Sequence, residues 1–160
     1  MTRVVLSLLA AAAFLGAQSS AKYDGPRPPK ADVPYLLHAS SLIETEAGEA
    51  RQSERKDLTV YTMVGASSSV RTPLPEPIFV IRSEKIPAEK LVLYRMETKG
   101  GAREIAFNQR KPKDNQRPVY LLVKRLEQGL YRIEANETLT NGEYCLSPES
   151  SNQTFCFAVY

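Results

Sequence analysis

Along most of this chain the apolar residues come in short runs that alternate with polar ones, and no long stripe repeats at helical spacing. The last twenty residues, 141–160, show this most sharply. Gly142–Ser147 and Thr154–Val159 are rich in aromatic, β-branched and aliphatic residues, and a polar loop of Pro148, Glu149, Ser150, Ser151 and Asn152 separates them. This predicts a hairpin. A loop symmetric about Ser150 and Ser151 sets Leu146 opposite Phe155, Tyr144 opposite Phe157, and Cys145 opposite Cys156. Side chains alternate between faces, so Tyr144, Leu146, Phe155, Phe157 and Val159 share one face and both cysteines fall on the other.

Further strands follow from the same reasoning. Tyr35–Ile43 is expected to be an opening strand. Leu58–Val64 alternates cleanly, with Tyr61 and Met63 on the face opposite Leu58, Val60, Thr62 and Val64. Ile78–Ile81 is a short apolar run suited to a buried strand. Across Leu91–Phe107, Gly100-Gly101 supplies a two-residue turn, which sets Met96 opposite Ile105, Tyr94 opposite Phe107 and Glu97 opposite Glu104. Val119–Leu126 is expected to turn back through Glu127-Gln128-Gly129, pairing Val123 with Ile133 and Leu121 with Ala135. The polar stretch Ala47–Lys56 has no apolar stripe and is expected to be a solvated loop or a frayed helical turn. Gly65–Pro77 and Asn108–Pro118 are expected to be loops, the first because it is full of glycine, serine and proline. About eight short strands divided by turn residues predict an all-β, antiparallel β-sandwich, favoured over a closed barrel by the hairpin connections.

The N-terminus changes the picture of where this domain works. Arg3 precedes the apolar run Val4–Leu15, and Ser19-Ser20-Ala21 is a small-x-small cleavage pattern. Residues 1–21 are therefore expected to be a secretory signal peptide, with cleavage after Ala17 as the alternative. The run is shorter than the ~20 residues of a spanning helix. Lys22–Pro34 carries four prolines and is expected to be an extended linker, leaving 35–160 as a single domain. Secretion or a periplasmic address suits a Cys145–Cys156 disulfide, which can persist in an oxidising compartment. With a formal charge of +3, or +2 if Arg3 is removed, nothing points to nucleic acid.

Leu139-Thr-Asn-Gly142-Glu-Tyr144 resembles the tyrosine corner of immunoglobulin-like sandwiches. The resemblance implies an Ig-like architecture in which the Tyr144 hydroxyl returns to backbone near Leu139 while its ring joins the core. Cys145 stands one residue after that tyrosine rather than two, and there is no tryptophan. The ending GEYCLSPESSNQTFCFAVY also resembles the C-termini of uncharacterised exported bacterial proteins with a G-E-Y-x-L-x-P stretch and an F-C-F strand. That resemblance implies a secreted β-domain and no particular activity.

Candidate chemistry is sparse. Ser67, Ser68 and Ser69 follow a strand and His38 is the only histidine, so a serine hydrolase would have to combine them. The second glycine of a nucleophile elbow is missing, and a serine-rich loop is the simpler reading. Glu44, Glu46, Glu49, Glu54 and Asp57 crowd one polar segment, where burial of a catalytic carboxyl is not expected. There is no C-x-x-C, so no zinc site is expected, and no cofactor motif stands out. Arg110, Lys111, Lys113 and Arg117 form a basic patch for an anionic polymer or acidic protein, interrupted by Asp114 and two prolines. Tyr61 or Tyr120 on an exposed sheet face would suit a carbohydrate. Asn136 and Asn152 match glycosylation acceptors, a match without meaning in a bacterial source. These features lead to an exported, non-catalytic interaction or structural module at the cell envelope. Its partner would be an unknown protein or envelope polymer. Carbohydrate binding and serine hydrolysis are the alternatives.

Overall fold

The computed structural model describes residues 22–160, so the expected signal peptide lies outside the described residues. The chain is all-β. Its strands are β1 (Tyr35–His38), β2 (Ser41–Glu44), β3 (Glu46–Glu49), β4 (Arg51–Arg55), β5 (Leu58–Val64), β6 (Arg71–Thr72) and β7 (Ile78–Arg82). There follow β8 (Leu91–Lys99), β9 (Ala102–Asn108), β10 (Leu121–Glu127), β11 (Leu130–Ala135), β12 (Gly142–Pro148) and β13 (Gln153–Val159). Two short 3₁₀ turns, at Ala88–Lys90 and Pro112–Asp114, are the helical elements among the described residues.

The strands form two sheets, ordered β10-β11-β7-β1-β2 and β3-β13-β12-β8-β9-β5-β4, with β6 running parallel to the end of β13. All other strand pairs are antiparallel. The sheets face one another across a core that joins Leu36, Phe79, Ile81 and Ile133 of the smaller to Leu93, Tyr144, Leu146, Phe155 and Phe157 of the larger. Phe79 and Phe157 meet edge to face at 5.1 Å between centroids, the geometry that aromatic quadrupoles favour.

The larger sheet does more than face its partner. Its first and last strands, β3 and β4, are parts of one extended segment interrupted only at Ala50. The first part pairs with β13 and the second with β5. The sheet therefore curls until its ends meet, and its concave side encloses a second core of Ala50, Met63, Met96, Ile105, Cys145 and Cys156, with Tyr61, Tyr94 and Phe107 against it.

Several expectations hold residue for residue. The closing hairpin pairs Tyr144 with Phe157, Cys145 with Cys156 and Leu146 with Phe155. Val123 faces Ile133, Leu121 faces Ala135, and Gly129 takes a positive φ of 72°. Glu97 lies opposite Glu104 across the Gly100-Gly101 turn. The Tyr144 hydroxyl donates to the Thr140 carbonyl at 2.8 Å, as a tyrosine corner requires.

Other expectations fail for physical reasons. There are thirteen strands rather than about eight, because Tyr35–Ile43 divides into two, the polar segment 47–56 supplies two more, and the expected loop Gly65–Pro77 contains the two-residue β6. Tyr35–Ile43 is a hairpin, not one strand, since Ala39 adopts a positive φ of 54° and Leu37 pairs with Leu42. In the segment 47–56 all residues but Ala50 and Lys56 are strand, not loop or helical turn. Its first part pairs with β13 and its second with β5, which satisfies one edge of each without an apolar stripe. An Ig-like sandwich has about seven to nine strands; with thirteen here, the tyrosine corner is present but an Ig-like fold is not confirmed.

The proline-rich residues 22–34 run along the smaller sheet rather than standing clear of it. Pro28 and Pro34 are buried and Ala31 bridges Arg82. The Asp32 carboxylate accepts the backbone N–H groups of Glu84, Lys85 and Ile86 at 2.8–2.9 Å.

Candidate functional site

The curled sheet is closed at one end and open at the other, and both ends are lined by the inward residues of the same strands. In β9 these are Arg103, Ile105 and Phe107, and in β5 Thr59, Tyr61 and Met63, paired across the ladder. The segment 46–54 contributes its even-numbered residues. Glu46 lies across from Cys156, Gly48 from Thr154, and Gln52 from Tyr61. A Cβ on Gly48 would come within 2.9 Å of the Met63 methyl, so a larger residue there would make the Met63 side chain move.

At the closed end Arg103 is 1% exposed. Its guanidinium donates to Glu46 at 2.6 and 3.0 Å, and to the carbonyls of Val64 at 2.8 Å and Gly65 at 3.0 Å. The Glu143 carboxylate lies 3.9 Å from it. Glu143 in turn accepts the Ser67 hydroxyl at 2.6 Å and the Ser68 N–H at 2.8 Å. Burial pushes the Glu46 carboxyl up, but the Arg103 hydrogen bonds, a Ser68 hydrogen bond and the Arg103 charge together outweigh this and hold it below the usual carboxylate range. These groups satisfy one another and plug the barrel end.

At the other end β8 and β9 diverge. They are laddered only at residues 97–99 and 102–104 beside the glycine turn. Beyond that, Tyr94 and Phe107 still meet edge to face at 5.3 Å, and Tyr61 meets Phe107 at 6.0 Å. The gap opens a pocket of about 640 Å³. Its walls are Tyr61, Tyr94, Met96, Ile105 and Phe107, and Cys145 of the disulfide lines it too. Its rim is polar: Gln52, Ser147 and the hairpin loop Glu149–Asn152. The face of the closing hairpin that carries the sulfurs is thus the interior of a second core, where Cys156 is fully buried. Burial also pushes the Tyr94 phenol up, so it stays protonated and able to donate.

The residues singled out from sequence are dispersed. His38 is exposed at the tip of the β1–β2 hairpin in the smaller sheet. Ser67 and Ser68 sit at the plug of the larger one, where Ser68 is buried and its hydroxyl donates to the Cys156 carbonyl. Ser69 is exposed. Among the described residues His38 makes no hydrogen bond with any of these serines. In the basic patch, Arg110 pairs with Asp57 at 3.0 Å and Arg117 with Glu137 at 2.7 and 2.9 Å, leaving Lys111 and Lys113 exposed beside them. Tyr61 faces the pocket, whereas Tyr120 is 67% exposed outside it. Of the crowded carboxylates, Glu46 alone enters a buried ion pair. Among the described residues there is no cluster suited to a metal ion and no helix long and apolar enough to cross a membrane.

Arg103, Glu143, Gln52 and Tyr94 are the site residues that sequence reasoning passed over. A signal existed for Arg103. The glycine-turn register already placed it on the face of Ile105 and Phe107, and a charge in an apolar stripe calls for a buried partner.

Fold and site together define a disulfide-bonded, all-β domain whose larger sheet holds a half-open internal pocket. Compared with family models, known proteins and solved structures, the chain finds no match.

Proposed function

We propose that the chain is an exported, non-catalytic binding module of the cell envelope, and that the mouth of the curled sheet is where it binds. The pocket between β8 and β9 carries this reading. It is of ligand-binding size, apolar within and polar at its rim, as small-molecule sites generally are. The N-terminal sequence pattern and the disulfide support an exported setting. His38 lies in the smaller sheet while Ser67 and Ser68 lie against the larger, which favours binding over serine hydrolysis.

The test is retention on immobilised envelope extract. Val92 of β8 also lines the pocket, so the wild-type protein should be retained and a variant with the pocket blocked by Val92→Trp should not. Equal retention of both would reject the pocket as the binding site, and no retention of either would reject the reading.

A second reading is attachment to a protein by strand addition. The smaller sheet ends in β10, whose outer edge has no strand partner among the described residues, and Leu122 on it and Tyr120 just before it are exposed. Retention that survives Val92→Trp and is lost on placing proline at Leu122 would favour this reading.

A further inference from the structure

We propose that the pocket takes an uncharged, ring-bearing small molecule, held edge-to-face against the Tyr94–Phe107–Tyr61 wall with a hydrogen-bond acceptor turned to the rim. This rests on the binding-module reading and narrows it to a ligand class.

Charge gives the first argument. Among the described residues that line the pocket, Glu149 is the only one of a type charged at neutral pH, and its carboxylate is held by Lys90 at 3.0 Å. The lining has no arginine, lysine or histidine. A carboxylate, phosphate or sulfonate drawn inside would lose its hydration and find no cation in exchange, which is costly. At the rim Lys90 is taken up by Glu149, so the pair leaves no free cation for an anion there.

Shape and surface chemistry give the second. Tyr61, Phe107 and Tyr94 already form a chain of edge-to-face contacts, with interplanar angles of 74° and 79°. A guest ring extends such a chain without disturbing it. Met96 and the Cys145 sulfur add polarisable surface, which favours aromatic contact. A flexible acyl chain would gain less from this wall and would lose more rotamer freedom on entry.

The rim gives the third. Gln52 and Asn152 offer neutral donors and acceptors, the Ser147 hydroxyl donates to the Gln153 carbonyl at 2.8 Å and can still accept, and the Tyr94 phenol remains a donor. These suit a carbonyl, ether or hydroxyl on an otherwise apolar body.

The experiment compares two fluorescent compounds with the same aromatic skeleton: neutral N-phenyl-1-naphthylamine, and 8-anilino-1-naphthalenesulfonate, which adds an anionic group. Chitotetraose serves as a sugar competitor. Purified wild-type protein should bind the neutral compound at one site and the sulfonate at least about tenfold more weakly. Val92→Trp and Phe107→Ala should each weaken neutral binding, whereas Tyr120→Ala, outside the pocket, should not. Two substitutions at different strands guard against one simply failing to fold, and circular dichroism of each checks this. Equal affinity for the two compounds would overturn the charge argument. Displacement by chitotetraose would overturn the ligand class in favour of a sugar. If wild-type protein is retained on envelope extract but binds neither compound, the ring-bearing ligand is rejected while the binding module stands.

Discussion

Replacing Arg103 with methionine should cost about 3 kcal/mol at neutral pH and much less in acid. Methionine reproduces the apolar stem out to about the position of Nε, so the effect is chiefly the loss of the guanidinium. That group sits at 1% exposure, bonded twice to Glu46 and to two backbone carbonyls. Removing one partner of a buried pair costs about 3–5 kcal/mol, because the other charge stays buried and unpaired. The lower end applies, since the Glu46 side chain retains 28% exposure and some water reaches it. The pH dependence follows from the direction of the Glu46 shift. Its folded carboxyl lies below the usual range, so the stability from the pair is present above the ordinary carboxylate pKa and is lost as pH falls through the folded value. In the variant, burial is no longer offset, so Glu46 takes up a proton more readily and the penalty shrinks as pH falls through the ordinary range. Urea unfolding of both proteins at pH 7 and pH 4 reads this directly. A loss under about 1 kcal/mol at pH 7, or the same loss at both pH values, would show that Arg103 does not hold Glu46 as described.

Three further outcomes are expected. Cys145→Ala combined with Cys156→Ala should lower stability by about 2–3 kcal/mol in chemical denaturation, from loop-closure entropy over the eleven-residue separation; an unchanged midpoint would contradict it. Tyr144→Phe removes the 2.8 Å bond to the Thr140 carbonyl and should cost about 1 kcal/mol, leaving the ring packed on Phe157; a neutral result would mean that the corner contributes nothing. Arg27 and the Tyr23 N–H pull the Glu127 carboxyl down to about 2; its midpoint followed by NMR should rise toward the usual range in Arg27→Ala, and a midpoint already there in the wild type would refute the contact.

Local pairing was legible because side-chain parity and turn chemistry constrain it. Cys145–Cys156 and Tyr144–Phe157 follow from loop symmetry alone, and Glu97–Glu104 from two adjacent glycines. Curling of the larger sheet was not legible, because it depends on strand 46–55 meeting β13 with one part and β5 with the other. Those contacts are distant in sequence and leave no apolar period behind. The inward positions of that strand are Glu46, Gly48, Ala50, Gln52 and Glu54. They read as solvated because their partners are an arginine, a methionine methyl and the open pocket rather than hydrocarbon. Charge was equally misleading in the basic loop, where Arg110 and Arg117 are each matched by a carboxylate from elsewhere in the chain.

The two ends of the curled sheet depend on each other. A small barrel whose interior were filled throughout by large apolar side chains would have no room for a guest. Here the interior at one end is given to Arg103, Glu46 and Glu143, which bond one another and need no hydrocarbon to fill the space. The Cys145–Cys156 bridge fastens neighbouring strands within the same interior. With that end fixed, β8 and β9 can part beyond Met96 without the sheet unravelling, and rings rather than a ladder line the opening. Loosening the plug should therefore weaken binding at a mouth it does not touch. A plug variant that remains folded and binds the neutral naphthylamine as tightly as the wild type would show the two ends to be independent.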